Sequence, residues 1–228
     1  MRMVTVAGPP STGKTSVLVH AIEEMGIAES DIAVVKFDCL VTDDEQAYRR
    51  IGVHARSGFS AGQCPDHFYA CNIPNAFEWA KSKGAKILIT ESAGLCNRCS
   101  PYIVGVASVC VIDCLAGIGA PRKMGPLLKM ADMIVLTKGD MVSQAEREVF
   151  AFRVHALSPK AEVVFANGLT GQGSFALARY FEMVADIDSL DKQALRFSTP
   201  SALCSYCLGE TRLGEAYQMG NARRMEFE

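Results

Sequence analysis

Apolar, largely β-branched runs recur along the chain at Met3–Ala7, Ile32–Phe37, Lys86–Thr90, Val106–Ile112, Met133–Leu136 and Glu162–Phe165. Between them lie stretches with apolar residues at helical spacing: Lys14–Met25, Asp43–Arg50, Asn75–Lys83, Pro126–Lys129, Ser143–Ala156 and Ser174–Val184. Ser143 followed by Glu146 predicts a capping box at one helix start. The alternation predicts an α/β fold, a mostly parallel sheet with helices on both faces in three layers.

Two segments break the alternation. Residues 52–74 are rich in Gly, Ser and Cys and read as a long functional connection. The tail from Asp188 carries glycines, polar residues and a cysteine pair, so the expected division is a main domain over 1–187 and an extension over 188–228.

At 228 residues, 49% of them hydrophobic, the chain is long enough for one well-buried core. A net charge of −2 offers no general attraction to nucleic acid or to an anionic membrane, and neither is an expected partner. The start, MRMVTVAG, lacks the apolar centre of a signal peptide, and the most apolar stretch, IVGVASVCVIDCLAGIGA, is interrupted by Asp113 and is too short to span a bilayer. A cytoplasmic location is expected. The nine cysteines, an odd count, argue against a disulfide framework and for metal, redox or packing roles. Cys110 reads as a core residue, and the plain reading is also favoured for Cys39, Cys71 and Cys114.

GPPSTGKTS follows the first strand and fits the phosphate-loop pattern from Gly8 to Gly13, Lys14 and Thr15. The backbone of Gly8, Pro9, Pro10, Ser11, Thr12, Gly13 and Ser16 is expected to cradle phosphates at a helix N-terminus. Lys14 reaches the β/γ oxygens, and Thr15 offers its hydroxyl to Mg²⁺. The carboxylates expected around that ion are Asp38 and Glu91, at the ends of the second and third predicted strands, with Gly94 three residues beyond Glu91. One of the two is expected to orient the attacking water, while Asp44 reads as a helix N-terminal charge.

LTKGD supplies the base preference. Asp140 can accept the N1–H and N2 amino hydrogens of guanine while the stem of Lys138 covers the ring; Thr137 stands where GTPases usually have Asn. Asn167 and Gly168, in FANGLTGQG, are candidates for a second base-contacting loop, with an ordinary strand-to-helix turn as the alternative.

Together these residues resemble the nickel-inserting accessory GTPases of urease and hydrogenase maturation, within a class of dimerising P-loop GTPases that includes the signal-recognition GTPases and cobalamin-linked metallochaperones. The resemblance runs to about Val184. It is carried most specifically by VIDCLAGIGAPRKMGPLLKMADMIVLTKGD and by ESAG. It implies GTP with Mg²⁺, a homodimer and a client metalloenzyme with its maturation factors. It also implies a metal site at GQCPDHF, on Cys64 and His67. The family's Cys-Pro-His is here lengthened by one residue, so these ligands need a turn or helix to meet; a turn cysteine and a surface histidine are the alternative.

The chain departs from the urease-type pattern in two cysteine pairs, Cys96 with Cys99 and Cys204 with Cys207. Each C-x-x-C can present two thiolates to one ion, and two pairs suit Zn²⁺ or an iron–sulfur cluster as readily as Ni²⁺. Redox dithiols or unliganded thiols are the alternatives.

The function expected is that of a slow GTPase acting as a metallochaperone, whose nucleotide state gates its metal. The alternatives are an ATP-dependent electron-transfer protein bridging a cluster between subunits and a small-molecule kinase.

Overall fold

The structure is a computed structural model that describes residues 1–40, 43–62, 64–94, 99–197, 209–218 and 223–227. Its strands are β1 (Arg2–Ala7), β2 (Ile32–Asp38), β3 (His54–Phe59), β4 (Ile87–Ser92), β5 (Ala107–Asp113), β6 (Met133–Thr137) and β7 (Glu162–Phe165). They form one parallel sheet in the order β3-β2-β4-β1-β5-β6-β7. The helices are α1 (Lys14–Glu23), α2 (Asp44–Arg50), α3 (Pro65–Ser82), α4 (Gly125–Lys129), α5 (Gln144–Leu157) and α6 (Ser174–Met183). The α/β architecture expected from the alternation is the one observed.

The central strands are buried along almost their whole length because helices cover both faces, and for that reason they read as unbroken apolar runs. On one face, Val17, Leu18 and Ile22 of α1 and Leu177 and Phe181 of α6 pack against Val4, Val34, Ile89 and Val135. On the other, Phe68, Ile73 and Phe77 of α3 meet Val35, Phe37 and Leu88, while Leu127, Phe150 and Val154 cover Ile112 and Ile134. At the start of α5 both halves of the capping box are made between Ser143 and Glu146.

Residues 52–74 are not the long connection expected. They hold the edge strand β3 and the first half of α3. Strand β3 has no apolar run because Ser57 and Gly58 occupy its centre; a Cβ on Gly58 would stand 2.4 Å from Met225 Sδ and 3.0 Å from the Phe68 ring. Helix α3 begins at Pro65, where proline's missing N–H would have no helical partner anyway, and runs on through Pro74. An interior proline leaves the carbonyl four residues back without its donor. Here that carbonyl, on Ala70, accepts instead from the N–H of Gly214 at 2.9 Å.

That contact belongs to a set that lays the described part of the tail against α3. Leu190, Leu195, Leu213 and Met225 enter the α3 core, and the Leu195 N–H donates to the Thr211 carbonyl at 2.8 Å. Arg196 grips Asp132 with two nitrogens at 2.7 and 2.8 Å and donates to the carbonyls of Ile103, Met130 and Val106.

Burial would raise the pKa of Asp132, but hydrogen bonds from Arg196 and Ser108 outweigh it and hold the carboxyl below its ordinary value. This contribution to stability is therefore present above the ordinary carboxylate range and is lost as pH falls through the lowered value. Arg196→Met is expected to destabilise the fold by about 1–3 kcal/mol, allowing for solvent screening of the pair. Urea midpoints would show it, and the gap between the two proteins should narrow in acid.

Candidate functional site

The carboxyl ends of β1, β2 and β4 open onto one crevice, as ligand sites of parallel α/β sheets do. The phosphate loop leaves β1 here. Ser11 and Gly13 take positive φ, 60° and 84°, curling the backbone ahead of α1. Lys14 lies folded over this loop, its Nζ donating to the carbonyls of Gly8 at 3.0 Å and Pro9 at 2.9 Å. Burial lowers its pKa. The Thr12 hydroxyl donates to the Pro9 carbonyl, and Pro10, Ser11, Gly13, Thr15 and Ser16 line the adjoining cavity.

Thr15 and Glu91 are brought together, the hydroxyl standing 2.9 and 3.0 Å from the two carboxylate oxygens. Glu91, buried at the end of β4, also accepts from Tyr48 of α2 at 2.6 Å. Burial, then the charge of Glu91, raises the Tyr48 pKa well above its ordinary value, so the phenol remains a donor. Asp38 lies at the end of β2, where one oxygen accepts from the Cys39 N–H at 2.7 Å.

At the centre of these groups stands Lys36, which the sequence reading passed over. Its ammonium is 3.2 Å from Glu91, 3.6 Å from Asp38 and 3.4 Å from the Thr15 hydroxyl, and it is paired with Asp44. Asp44, read as a helix-start charge, is thus also part of the crevice. Burial would lower the Lys36 pKa; Glu91 and the bond to Asp44 outweigh that and raise it. The signal was a lysine inside the apolar run IAVVKFD, but its contact with Glu91 follows from the non-sequential pairing of β2 with β4.

Gly94 abuts the phosphate loop. With φ +54°, it brings its Cα so close that a Cβ there would lie 2.4 Å from the Gly8 carbonyl oxygen. The segment after Glu91 is therefore in backbone contact with the loop.

Asp140 lines a cavity of 240 Å³ with Leu136, Arg147, Phe165, Asn167 and Gly173. Arg147 covers the Phe165 ring, 5.5 Å from its centroid. Neither residue was singled out in sequence. Thr137 ties the base motif to the phosphate loop by donating to the Thr12 carbonyl at 2.6 Å, and Lys138 donates to the Ser11 carbonyl at 2.6 Å. Asn167 turns back on its own loop, accepting from the N–H groups of Leu169 and Thr170. A Cβ on Gly168 would stand 3.0 Å from the Ser16 side chain.

The structure also brings together two thiols that lie far apart in the chain. Cys64 is the residue just ahead of α3, and Cys99 donates to Asp66 in the first turn of that helix at 2.7 Å. The neighbouring Cys99 thiol lowers the Cys64 pKa to about 7 against burial and the charge of Asp66, helped by the first N–H groups of α3. Burial raises the Asp66 pKa and lowers that of His67.

Asp66 Oδ1 and His67 Nε2 are buried without a hydrogen-bond partner among the described residues. His67 is thus a buried residue, not a surface one. Among the described residues, no three of His, Cys, Asp and Glu are arranged to hold a metal ion. Cys96, Cys204 and Cys207 lie outside the described residues. Burial pushes the thiols of Cys71 and Cys110 up to about 12, as expected of packing residues. No described helix is long and apolar enough to cross a membrane.

The family model of the CobW/HypB/UreG nucleotide-binding domain matches residues 2–165. An uncharacterised protein of Methanocaldococcus jannaschii is 45% identical, the alignment covering 100% of this chain and 99% of that one. Urease accessory protein UreG 1 of Saccharopolyspora erythraea is 30% identical over 70% of this chain and 68% of its own length. In fold, the crystal structure of HypB from Helicobacter pylori in complex with nickel is similar with a TM-score of 0.64, at 18% identity, covering 83% of this chain and 91% of that one. The chain belongs to the CobW/HypB/UreG family and carries its nucleotide-binding domain.

Proposed function

We propose that this protein is a GTP-hydrolysing metallochaperone that delivers a metal ion to a client metalloenzyme and works as a nucleotide-gated homodimer. The observation that carries this reading is the docking of Cys99 on the start of α3, where it donates to Asp66 at 2.7 Å two residues from Cys64. One thiol comes from the start of α3 and the other from the segment that follows Glu91 and Gly94. A likeness to urease accessory and hydrogenase maturation proteins, one of them solved with nickel, supports Ni²⁺ as cargo; the sulfur ligands would suit Zn²⁺ equally.

The phosphates of GTP would lie along the loop from Gly8 to Ser16, with Lys14 turned from its own loop carbonyls toward the β/γ oxygens. The Thr15 hydroxyl and the oxygens of Asp38 and Glu91 are hard donors that fit Mg²⁺. Bound there, the ion would neutralise phosphate charge. Glu91, fixed by three donors, is suited to a positioning role, whereas Asp38 at the crevice rim is better placed to orient a water.

Asp140 is the proposed guanine reader. Asp140→Asn would replace two accepted hydrogen bonds by a mismatch, and GTP affinity is expected to fall about 30- to 100-fold with ATP binding unchanged. Competition between the two nucleotides against a fluorescent GDP would measure it.

The reading as a whole is tested by purifying the protein without oxygen and measuring bound metal and sulfide beside GTP and ATP binding. Metal affinity should differ between the GDP state and a non-hydrolysable GTP analogue. Equal affinities would sink the gating. ATP preference with bound iron and sulfide would favour the electron-transfer alternative.

A further inference from the structure

The crevice gathers three carboxylates, Asp38, Asp44 and Glu91, around one buried ammonium, that of Lys36. The same ammonium lies 3.4 Å from the Thr15 hydroxyl, the group a phosphate loop offers to its divalent ion. Lys36 and Glu91 are register partners on neighbouring strands, and the ammonium meets Glu91 at Oε1, an oxygen that also accepts from Thr15. A lysine here is not explained by packing. It sits in a strand otherwise apolar from Ile32 to Phe37, and the cost of burying its charge is met by the three carboxylates that surround it.

We propose that Lys36 is a tethered counter-ion that holds the magnesium position of this site and is displaced when magnesium joins the bound nucleotide. A divalent ion and an ammonium repel strongly at the separations these ligands impose, so both cannot share Thr15 and Glu91. The flexible four-carbon stem lets the ammonium leave without moving β2, and Asp44 on α2 is a partner it can keep. While Lys36 is in place it offsets part of the repulsion between these carboxylates and arriving phosphates. The protein can therefore take up nucleotide before it takes up metal.

The inference rests on the phosphate-site reading above, and its test separates the two. Binding of N-methylanthraniloyl-GDP to the full chain would be measured in EDTA and in millimolar Mg²⁺, for the wild type, Lys36→Met and Lys36→Arg. The wild type and Lys36→Arg are expected to lose less than threefold in affinity in EDTA, and Lys36→Met tenfold or more, restored by Mg²⁺. A wild type that loses tenfold in EDTA, or a Lys36→Met protein with the wild-type ratio, would overturn the proposal.

Nucleotide-free protein would then be titrated with Mn²⁺ alone and followed by the electron paramagnetic resonance of the free ion. Lys36→Met should bind Mn²⁺ at least tenfold more tightly than the wild type; equal binding would overturn the proposal. Should Lys36→Met not fold, Lys36→Gln takes its place and the wild-type comparison in EDTA still decides. If GDP binds the wild type in neither buffer, the nucleotide reading fails, and the Mn²⁺ comparison alone judges Lys36.

Discussion

Replacing Lys14 with alanine is expected to weaken GTP binding by at least about 100-fold, the loss of two charge-assisted hydrogen bonds at roughly 1.5–3 kcal/mol each. The side chain now donates to the carbonyls of Gly8 and Pro9, so its ammonium already lies over the loop and needs only to turn toward phosphate. Burial, which lowers its pKa, also marks how little water competes for that charge. Isothermal titration of the variant with GTP would measure the loss, alongside a thermal unfolding curve to show that the loop carbonyls tolerate it. Affinity within threefold of the wild type, in a folded variant, would mean that nucleotide does not bind along this loop.

The second large effect is on metal. Changing both Cys64 and Cys99 to serine is expected to lower affinity for Ni²⁺ or Zn²⁺ by at least 100-fold, since a hydroxyl is a poor substitute for a thiolate at a soft ion. Each single change should cost most of that loss, because a site left with one of the two thiols keeps little hold on the ion. Competition with a chromophoric chelator would read it. GTP binding in the absence of added metal should hold, as neither thiol lines the phosphate or base cavities. Unchanged metal affinity in the double variant would place the cargo site elsewhere.

Much of the fold was legible because the central strands are covered on both sides, and a strand such as Ile87–Ser92 then has no solvent-facing side, so its apolar start is unbroken from Ile87 to Ile89. The edge strand β3 escaped notice for the opposite reason, with Ser57 and Gly58 in its centre where close packing of Phe68 and Met225 excludes a side chain. Helix α3 was entered ten residues late because proline ordinarily ends a helix. The donor that satisfies the Ala70 carbonyl opposite Pro74 comes from Gly214, far along the chain, and no local pattern carries that information.

The site divides in the same way. The phosphate loop and base motif are contiguous and could be read directly. Lys36 against Glu91 depends on which strands are neighbours, and Cys64 against Cys99 on how α3 packs beside the end of β4; both are set by topology and not by spacing. The C-x-x-C pairing suggested Cys96 as the partner of Cys99; Cys96 lies outside the described residues, and the neighbourhood of Cys99 with the start of α3 is a second relation that spacing did not carry.

The anchoring of Gly214 to Ala70 makes the far end of the chain part of the helix that begins at Cys64. Ala70 lies six residues into α3 from Cys64, about 9 Å along the helix axis. The Thr211 carbonyl and the Leu213 N–H are bonded as well, to Leu195 and to Gln193, so residues 211–214 are laid down together with α3. A change in this late stretch of sequence would therefore be felt at the helix whose first turn adjoins the Cys64 thiol, and the tail acts as a splint for that helix.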